Sequence, residues 1–229
     1  MRYLIIGLGI FGDNLARNLT DLGNEVIGVD NCQNKIDDIK DYISTVYLVD
    51  TTEETAISVL PLKNVDVVVV AIGENFGASI RTVALLKKVG VKHIYARATD
   101  SIHEAILQGF HIDRILAPEQ RAAADLTHEL ELGPGTVSMS VDDERVVARF
   151  KAPKYFDGIE YSKFKLTQDY GIALVAASRP FERNNLLGVS HTVMTALNIS
   201  EGGASCCQGD FITVFGRKKD IASLYRHIS

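Results

Sequence analysis

The first thirty residues constrain this chain more than any other segment. Arg2–Ile6 is a short apolar run that enters Gly7-Leu8-Gly9-Ile10-Phe11-Gly12. A helical stretch, Asp13–Leu22, follows; then come Gly23-Asn24 and a second apolar run, Glu25–Val29, which stops at Asp30. Strand, glycine turn, helix, strand and terminal acid stand in the order that a dinucleotide-binding βαβ unit requires. Gly7 is expected to permit the tight turn, Gly9 to let the backbone approach a pyrophosphate, and Gly12 to let helix and strand pack closely. The phosphates would rest on the free N–H groups at the helix start, where the dipole favours negative charge. A lone GxGxxG is a weak signal. The flanking strand and helix, with an acid 18 residues past the last glycine, make this one informative.

The alternation continues to about residue 130. Strands are expected at Thr45–Val49, Val65–Ile72, His93–Arg97 and Ile112–Ala117. The helices between them are Gln33–Asp41, Glu53–Leu60, Gly77–Val89 and a segment from the cap Asp100 to Gly109. A last helix, Gln120–Leu132, opens after Pro118-Glu119. Six strands with five intervening helices predict a Rossmann-like, doubly wound parallel sheet, the α/β class. Leu132-Gly133-Pro134-Gly135 breaks the pattern and sets the expected boundary, with a nucleotide-binding domain at 1–133 and a smaller α+β domain at 134–229. There, strands are expected at Thr136–Val141, Val146–Lys151, Ile172–Ala177 and Phe211–Phe215, and helices at Tyr161–Thr167 and Arg217–His227. Arg183–Ser205 is expected to be an irregular insertion.

Composition narrows the function. A net charge of −5 argues against nucleic-acid binding driven by bulk charge. The longest apolar run, Val67–Ile72, is far too short to span a bilayer, so any membrane role must come through a partner. Cys32, Cys206 and Cys207 form neither a disulfide framework nor a CxxC metal pair, which fits a reducing cytoplasm. The chain enters a strand at once, leaving no room for a signal peptide. The six histidines are scattered, with no HExxH, no G-x-S-x-G elbow and no Walker A lysine. Ser190-His191 and Cys206-Cys207 are expected to lie on solvent-facing loops. No catalytic residue is assigned.

Asp30 is the sharpest single candidate. A carboxylate at the end of the second strand accepts hydrogen bonds from a ribose diol and repels a 2′-phosphate, favouring NAD(H), ATP or ADP over NADP. Its alternative role is to cap the loop. Asp50, Thr51 and Thr52 end the third strand, and Ala71, Ile72 and Gly73 end the fourth, bordering the crevice where such sheets bind ligands. Asp50 with Thr51 could address adenine; helix capping is the alternative. Arg97, ending the fifth strand, could reach phosphate oxygens or form a structural ion pair. Glu119 could hold a divalent cation near the phosphates, or serve as a first-turn helix acid.

These blocks, taken together, resemble the regulator-of-potassium-conductance (RCK or KTN) family, the cytosolic regulatory subunits of Trk- and Ktr-type potassium uptake systems. The resemblance rests on Gly7–Gly12, Val29-Asp30, Asp50–Glu53, Val68–Asn75, Arg97-Ala98 and Asp113–Glu119. In the second half it rests on Tyr170–Ala176, Gly209–Gly216 and Lys219–Ile221, with Pro180–Gln208 longer than the family's usual connection. The resemblance implies a non-enzymatic, nucleotide-binding regulator. Its site would comprise Gly7, Leu8, Gly9, Ile10, Phe11 and Gly12, Asp30 and Asn31, Asp50, Thr51 and Thr52, Ala71, Ile72, Gly73 and Glu74, and Arg97. It also implies dimers that exchange Gln120–Leu132 and assemble into an octameric ring. That ring would sit at the inner face of the membrane and gate a potassium-translocating subunit by a ligand-driven change of shape. Members that use ATP often carry arginine between the second and third glycines; Ile10 stands there in this chain, which favours NAD(H) or ADP over an ATP response. In some members the acid equivalent to Glu119 helps bind a divalent cation between subunits. The competing readings are an NAD-dependent oxidoreductase, which needs a positioned His, Lys or Tyr facing the nicotinamide, and a scaffold with a vestigial site.

Overall fold

In a computed structural model that describes residues 1–132, 135–184 and 190–228, the chain divides into two compact units, Met1–Gln120 and Arg121–Ser229. The expected boundary residues Gly133 and Pro134 lie outside the described residues.

The first unit is a six-stranded parallel sheet of β1 (Arg2–Ile6), β2 (Glu25–Asp30), β3 (Thr45–Leu48), β4 (Val67–Val70), β5 (Ile94–Arg97) and β6 (Arg114–Leu116). Their spatial order is β3-β2-β1-β4-β5-β6, so the topology reverses between β1 and β4. The strands alternate with α1 (Ile10–Asp21), α2 (Gln33–Ile39), α3 (Glu54–Val59), α4 (Phe76–Lys88) and α5 (Ser101–Gly109); α6 (Pro118–Leu132) follows β6. Both faces of the sheet are covered, which is why β4 is four consecutive buried valines. Alternate residues feed opposite cores. Leu4, Ile6, Val68 and Val70 pack with Val83, Leu86 and Leu107 on one side; Ile5, Val67 and Val69 pack with Ala16, Ile36 and Ile39 on the other.

The expected α/β architecture is present, with shifted boundaries. Helix α1 begins at Ile10 rather than Asp13, because the Gly9 carbonyl already accepts the Asp13 N–H at 2.9 Å. The last half of the glycine motif is therefore the first turn of the helix. Asp100 caps α5 as expected, accepting the His103 N–H at 2.8 Å, and Asn75 does the same for α4.

The second unit is an antiparallel sheet in the order β10-β9-β11-β8-β7. Its strands are β7 (Val137–Ser140), β8 (Arg145–Lys151), β9 (Ala173–Asn184), β10 (Ser190–Leu197) and β11 (Phe211–Arg217), accompanied by α7 (Leu166–Tyr170) and α8 (Lys218–Ile228). Phe150, Ile212 and Val214 from the sheet pack with Leu166 of α7 and Ile221 and Leu224 of α8.

Four expectations are corrected here. Arg183–Ser205 is not an irregular insertion in its described part: β9 runs on to Asn184 and pairs with β10 from Asn184↔Ser190 to Ala177↔Leu197. Residues 185–189 lie outside the described residues. Pro180 is tolerated in this strand because it lies beyond Ser178, the last β9 residue paired with β11, where one edge of β9 is open. Ser190-His191 is accordingly in a strand, with the Ser190 hydroxyl donating to Glu182. The expected helix Tyr161–Thr167 is a single 3₁₀ turn, Tyr161–Lys163, followed by α7. Cys206 is buried in the core rather than facing solvent, and burial pushes its thiol pKa up; Cys207 is exposed.

The reason for the Tyr161 turn is a buried carboxylate. Asp210, 0% exposed, accepts from Arg179 Nε at 2.6 Å and Nη2 at 2.8 Å, from the Tyr161 hydroxyl at 2.7 Å and from the Cys207 N–H at 2.8 Å. Burial raises its pKa, but the bonds from Arg179, Tyr161 and Cys207 outweigh it, leaving it below the ordinary carboxylate value. Its contribution to stability is therefore present above the unfolded carboxylate pKa, about 4, and is lost as pH falls through the depressed folded value. Asp210→Asn is expected to cost about 3 kcal/mol by leaving Arg179 without its carboxylate, with the Ser205 carbonyl still accepting from it. Urea unfolding at pH 7 checks this, and the deficit should shrink as pH is lowered below 4.

Candidate functional site

The parallel register gathers the candidate residues along one edge. Ile6 pairs with Val29 and Val70, Asp30 with Leu48, and Arg97 with Leu116, so the segments after β1, β2, β3, β4 and β5 all leave the sheet at its carboxyl end. Ligands of open α/β sheets bind outside that end, at the reversal between β1 and β4.

The glycine turn occupies this reversal. Gly7 has φ of +93°, a conformation that needs glycine, and its N–H donates to the Val29 carbonyl at 2.8 Å. A Cβ on Gly12 would lie 1.9 Å from the Gly7 carbonyl oxygen, so α1 can start here only with glycine. A Cβ on Gly9 would meet nothing within 4 Å. Gly9 is the N-cap of α1 and supplies no side-chain acceptor to the first helical N–H groups. The half-buried backbone at Gly9 thus opens onto room, with amide donors behind it. Leu8 is buried, Phe11 half-buried, and Ile10 is 88% exposed.

Asp30, only 6% exposed, takes the capping role that the sequence offered it. Its Oδ2 accepts the Leu8 N–H at 2.7 Å and its Oδ1 the Cys32 N–H at 2.9 Å, so it caps both loops; Lys35 Nζ stands 3.9 Å from Oδ2. Each carboxylate oxygen still has a second acceptor direction for a sugar hydroxyl. Asn31 is exposed in the bend after β2. Lys35, on α2, carries no sequence signal that would have singled it out.

The β3 end is arranged differently from the capping alternative. Asp50 is exposed, and its Oδ1 accepts the Thr52 N–H at 2.9 Å and the Thr52 hydroxyl at 2.8 Å. The Thr52 N–H and hydroxyl hold its pKa below the usual carboxylate range. Thr51 caps nothing: it is buried, its hydroxyl 2.9 Å from that of Thr82, and α3 begins only at Glu54. Arg81 Nε donates to the Thr52 carbonyl at 2.6 Å, so α4 holds this turn in place. Arg81, exposed, and Thr82, buried, were not anticipated, and nothing in the local sequence marks them.

Arg97 reaches the opposite side of the glycine turn. Its guanidinium lies over Gly73, where a Cβ would meet Nη1 at 2.4 Å, and 5.9 Å from the centroid of the Phe11 ring. Nη2 donates to Glu119 Oε1. Nε is buried and, among the described residues, has no hydrogen-bond partner. Ala71 is buried, Ile72 and Gly73 are half-buried, and Glu74 is exposed. No group of three or more His, Cys, Asp or Glu among the described residues could hold a metal ion. Of the histidines, His103 is fully buried and its pKa is pushed down by that burial, with Nδ1 3.1 Å from the Thr99 hydroxyl.

A buried acid on one side, an incompletely satisfied guanidinium on the other and an open glycine backbone between them fit the diphosphate and sugar of a nucleotide. A family model, the TrkA-N domain, matches residues 3–118. The chain belongs to the TrkA-N domain family. Within curated relatives, it is 31% identical over 177 residues to Ktr system potassium uptake protein C of Bacillus subtilis (strain 168), covering 77% of this chain and 80% of that protein. It is 27% identical over 232 residues to Ktr system potassium uptake protein A of the same organism, covering 96% and 93%. Among solved structures it resembles the GsuK channel bound to NAD, with a TM-score of 0.64 at 14% identity, covering all of this chain and 39% of that one. That likeness is one of fold. No helix among the described residues is long and apolar enough to cross a membrane.

The geometry separates two glycines that look alike in the sequence. Gly12→Ala is expected to destabilise the first unit by at least about 1–3 kcal/mol, because backbone must move to admit the methyl. Gly9→Ala is expected to unfold at the wild-type temperature. Parallel thermal melts followed by circular dichroism check the contrast.

Proposed function

We propose that the chain is a nucleotide-sensing regulatory subunit of a potassium uptake system. The observation that carries this reading is the carboxyl-edge site: Asp30 and Arg97 flank the open backbone at Gly9, in a family whose Ktr relatives are named as potassium uptake proteins. An adenosine nucleotide would place its ribose hydroxyls on Asp30 and its phosphates against the amides of Gly9, Ile10 and Phe11, within reach of Arg97. Asn31, Asp50 and the turn from Ala71 to Glu74 would line the rest of the crevice. The Thr51 side chain, buried against Thr82, supports the crevice from behind. Ile10 offers no charge to a γ-phosphate, so the reading favours NAD(H) or ADP over ATP. The regulator would act at the inner face of the membrane through a potassium-translocating subunit. Its dimers would exchange the helix 120–132 and close into an octameric ring, with a domain division at 133/134.

Such a ring transmits a signal only if the nucleotide binds one of its shapes more tightly than another. The second reading, an NAD-dependent oxidoreductase, would need an acid–base group beside the nicotinamide, and turnover of NADH with a small carbonyl would favour it.

Isothermal titration of the wild type with NAD, NADH, ADP and ATP tests the site. Binding is expected for NAD(H) or ADP, and Asp30→Asn should weaken it by about 1–3 kcal/mol, the scale of a charged hydrogen bond lost from a buried site. Gly9→Ala should weaken it at unchanged stability by filling the space before the amides. Absence of heat with all four nucleotides would overturn the proposal. Potassium flux into vesicles bearing the membrane subunit, with and without the bound nucleotide, tests the gating.

A further inference from the structure

We infer that Glu119 and the phosphates of a nucleotide compete for the Arg97 guanidinium, so that Glu119 sets the affinity of the site and its release is what binding imposes on the start of α6. The inference rests on the nucleotide reading above and gives that site a regulatory residue.

Arg97 is positioned without help from Glu119. It is packed over the backbone of Gly73 and against Phe11, a first-turn residue of α1, and its side chain is 20% exposed. Among the described residues its Nε is buried without an acceptor and its one carboxylate contact is at Nη2, so the guanidinium is incompletely paired. Glu119 is the opposite case. Its side chain is 59% exposed and reaches Arg97 through a single Nη2 contact. An ion pair with one member mostly in water is weakly held. A phosphate offers the same guanidinium a charge-assisted, potentially bidentate pair, which is stronger. Glu119 also loses little by leaving. It is the acid in the first turn of α6, and the helix dipole still favours its charge there once Arg97 has turned to another anion. Glu119 therefore behaves as a tethered anion that an incoming phosphate must displace. Displacement frees the first turn of α6, the helix that carries the chain from residue 118 to residue 132.

This reading and a divalent-cation role for Glu119 make opposite predictions. Calorimetry is run on wild type, Glu119→Gln, Arg97→Gln and the double variant with ADP in EDTA, and with adenosine as the phosphate-free control. Glu119→Gln is expected to bind ADP about three- to fivefold more tightly than wild type, the span of a largely exposed ion pair removed from competition. Its affinity for adenosine should be unchanged. In the Arg97→Gln background the gain should vanish. Equal or weaker ADP binding by Glu119→Gln in EDTA overturns the inference, as does a gain that persists without Arg97 or appears equally with adenosine. Weaker binding by Glu119→Gln only when Mg²⁺ replaces EDTA would assign Glu119 to a cation instead. If wild type binds no ADP, the site itself fails; if it binds ADP with no response to Glu119, only the competition fails. Melting of each variant in nucleotide-free buffer confirms that it is folded.

Discussion

The tie between the glycine turn and the end of β2 is the contact on which the first unit's site depends. Two consecutive amides are spent on it: Gly7 N–H goes to the Val29 carbonyl and Leu8 N–H to the Asp30 carboxylate. With those two donors anchored, the chain passes directly through Gly9 as the N-cap of α1. The carboxylate is nearly free of solvent, so its bonds to Leu8 and Cys32 are made where each counts for more than it would in water. The acid that ends β2 is thus also the acid that builds the glycine turn. Capping does not exhaust Asp30, because a carboxylate has acceptor directions to spare.

Charge at the site is distributed unevenly, and the unevenness has consequences. On one side a buried anion is satisfied by backbone. On the other, among the described residues, a half-buried cation has one exposed anion for company and one buried donor unmatched. Between them Ile10 presents an apolar, almost fully exposed side chain at the first turn of α1. A site of this kind discriminates by what it can neutralise. The only cationic side chain packed over the turn from Gly73 is Arg97 among the described residues, and Ile10 brings no charge to the first turn of α1.

The second unit repeats the device with different parts. Asp210 draws together Tyr161, Arg179 and the Cys207 amide, residues far apart along the chain, at a point where the sheet meets the segment from Asn198 to Asp210. Beyond that point β9 and β10 run on as a hairpin whose β9 edge is unpaired past Ser178, and Pro180 sits on that open edge. Prolines on open edges discourage further strand pairing.

Much of the first unit was legible because its signals are local. Glycines at 7, 9 and 12, the unbroken valines of β4 and the cap Asp100 each act over a few residues, and a doubly wound sheet follows from their order. The second unit was less legible for the converse reason. The strand β10 has a polar, weakly alternating sequence that declares itself only when paired with β9, and Tyr161 turns where it does because Asp210 waits 49 residues away. Cys206 looks like one half of a surface pair, yet its neighbours in space bury it. The sequence by itself determined the sheet, the turn and the identity of the acid, since hydrophobic period and glycine spacing are properties of neighbours along the chain. Only the tertiary structure decided that Thr51 faces Thr82, that Asp30 holds Leu8 and that Arg97 meets Glu119, because each is a meeting of side chains that only packing can bring within a few ångströms.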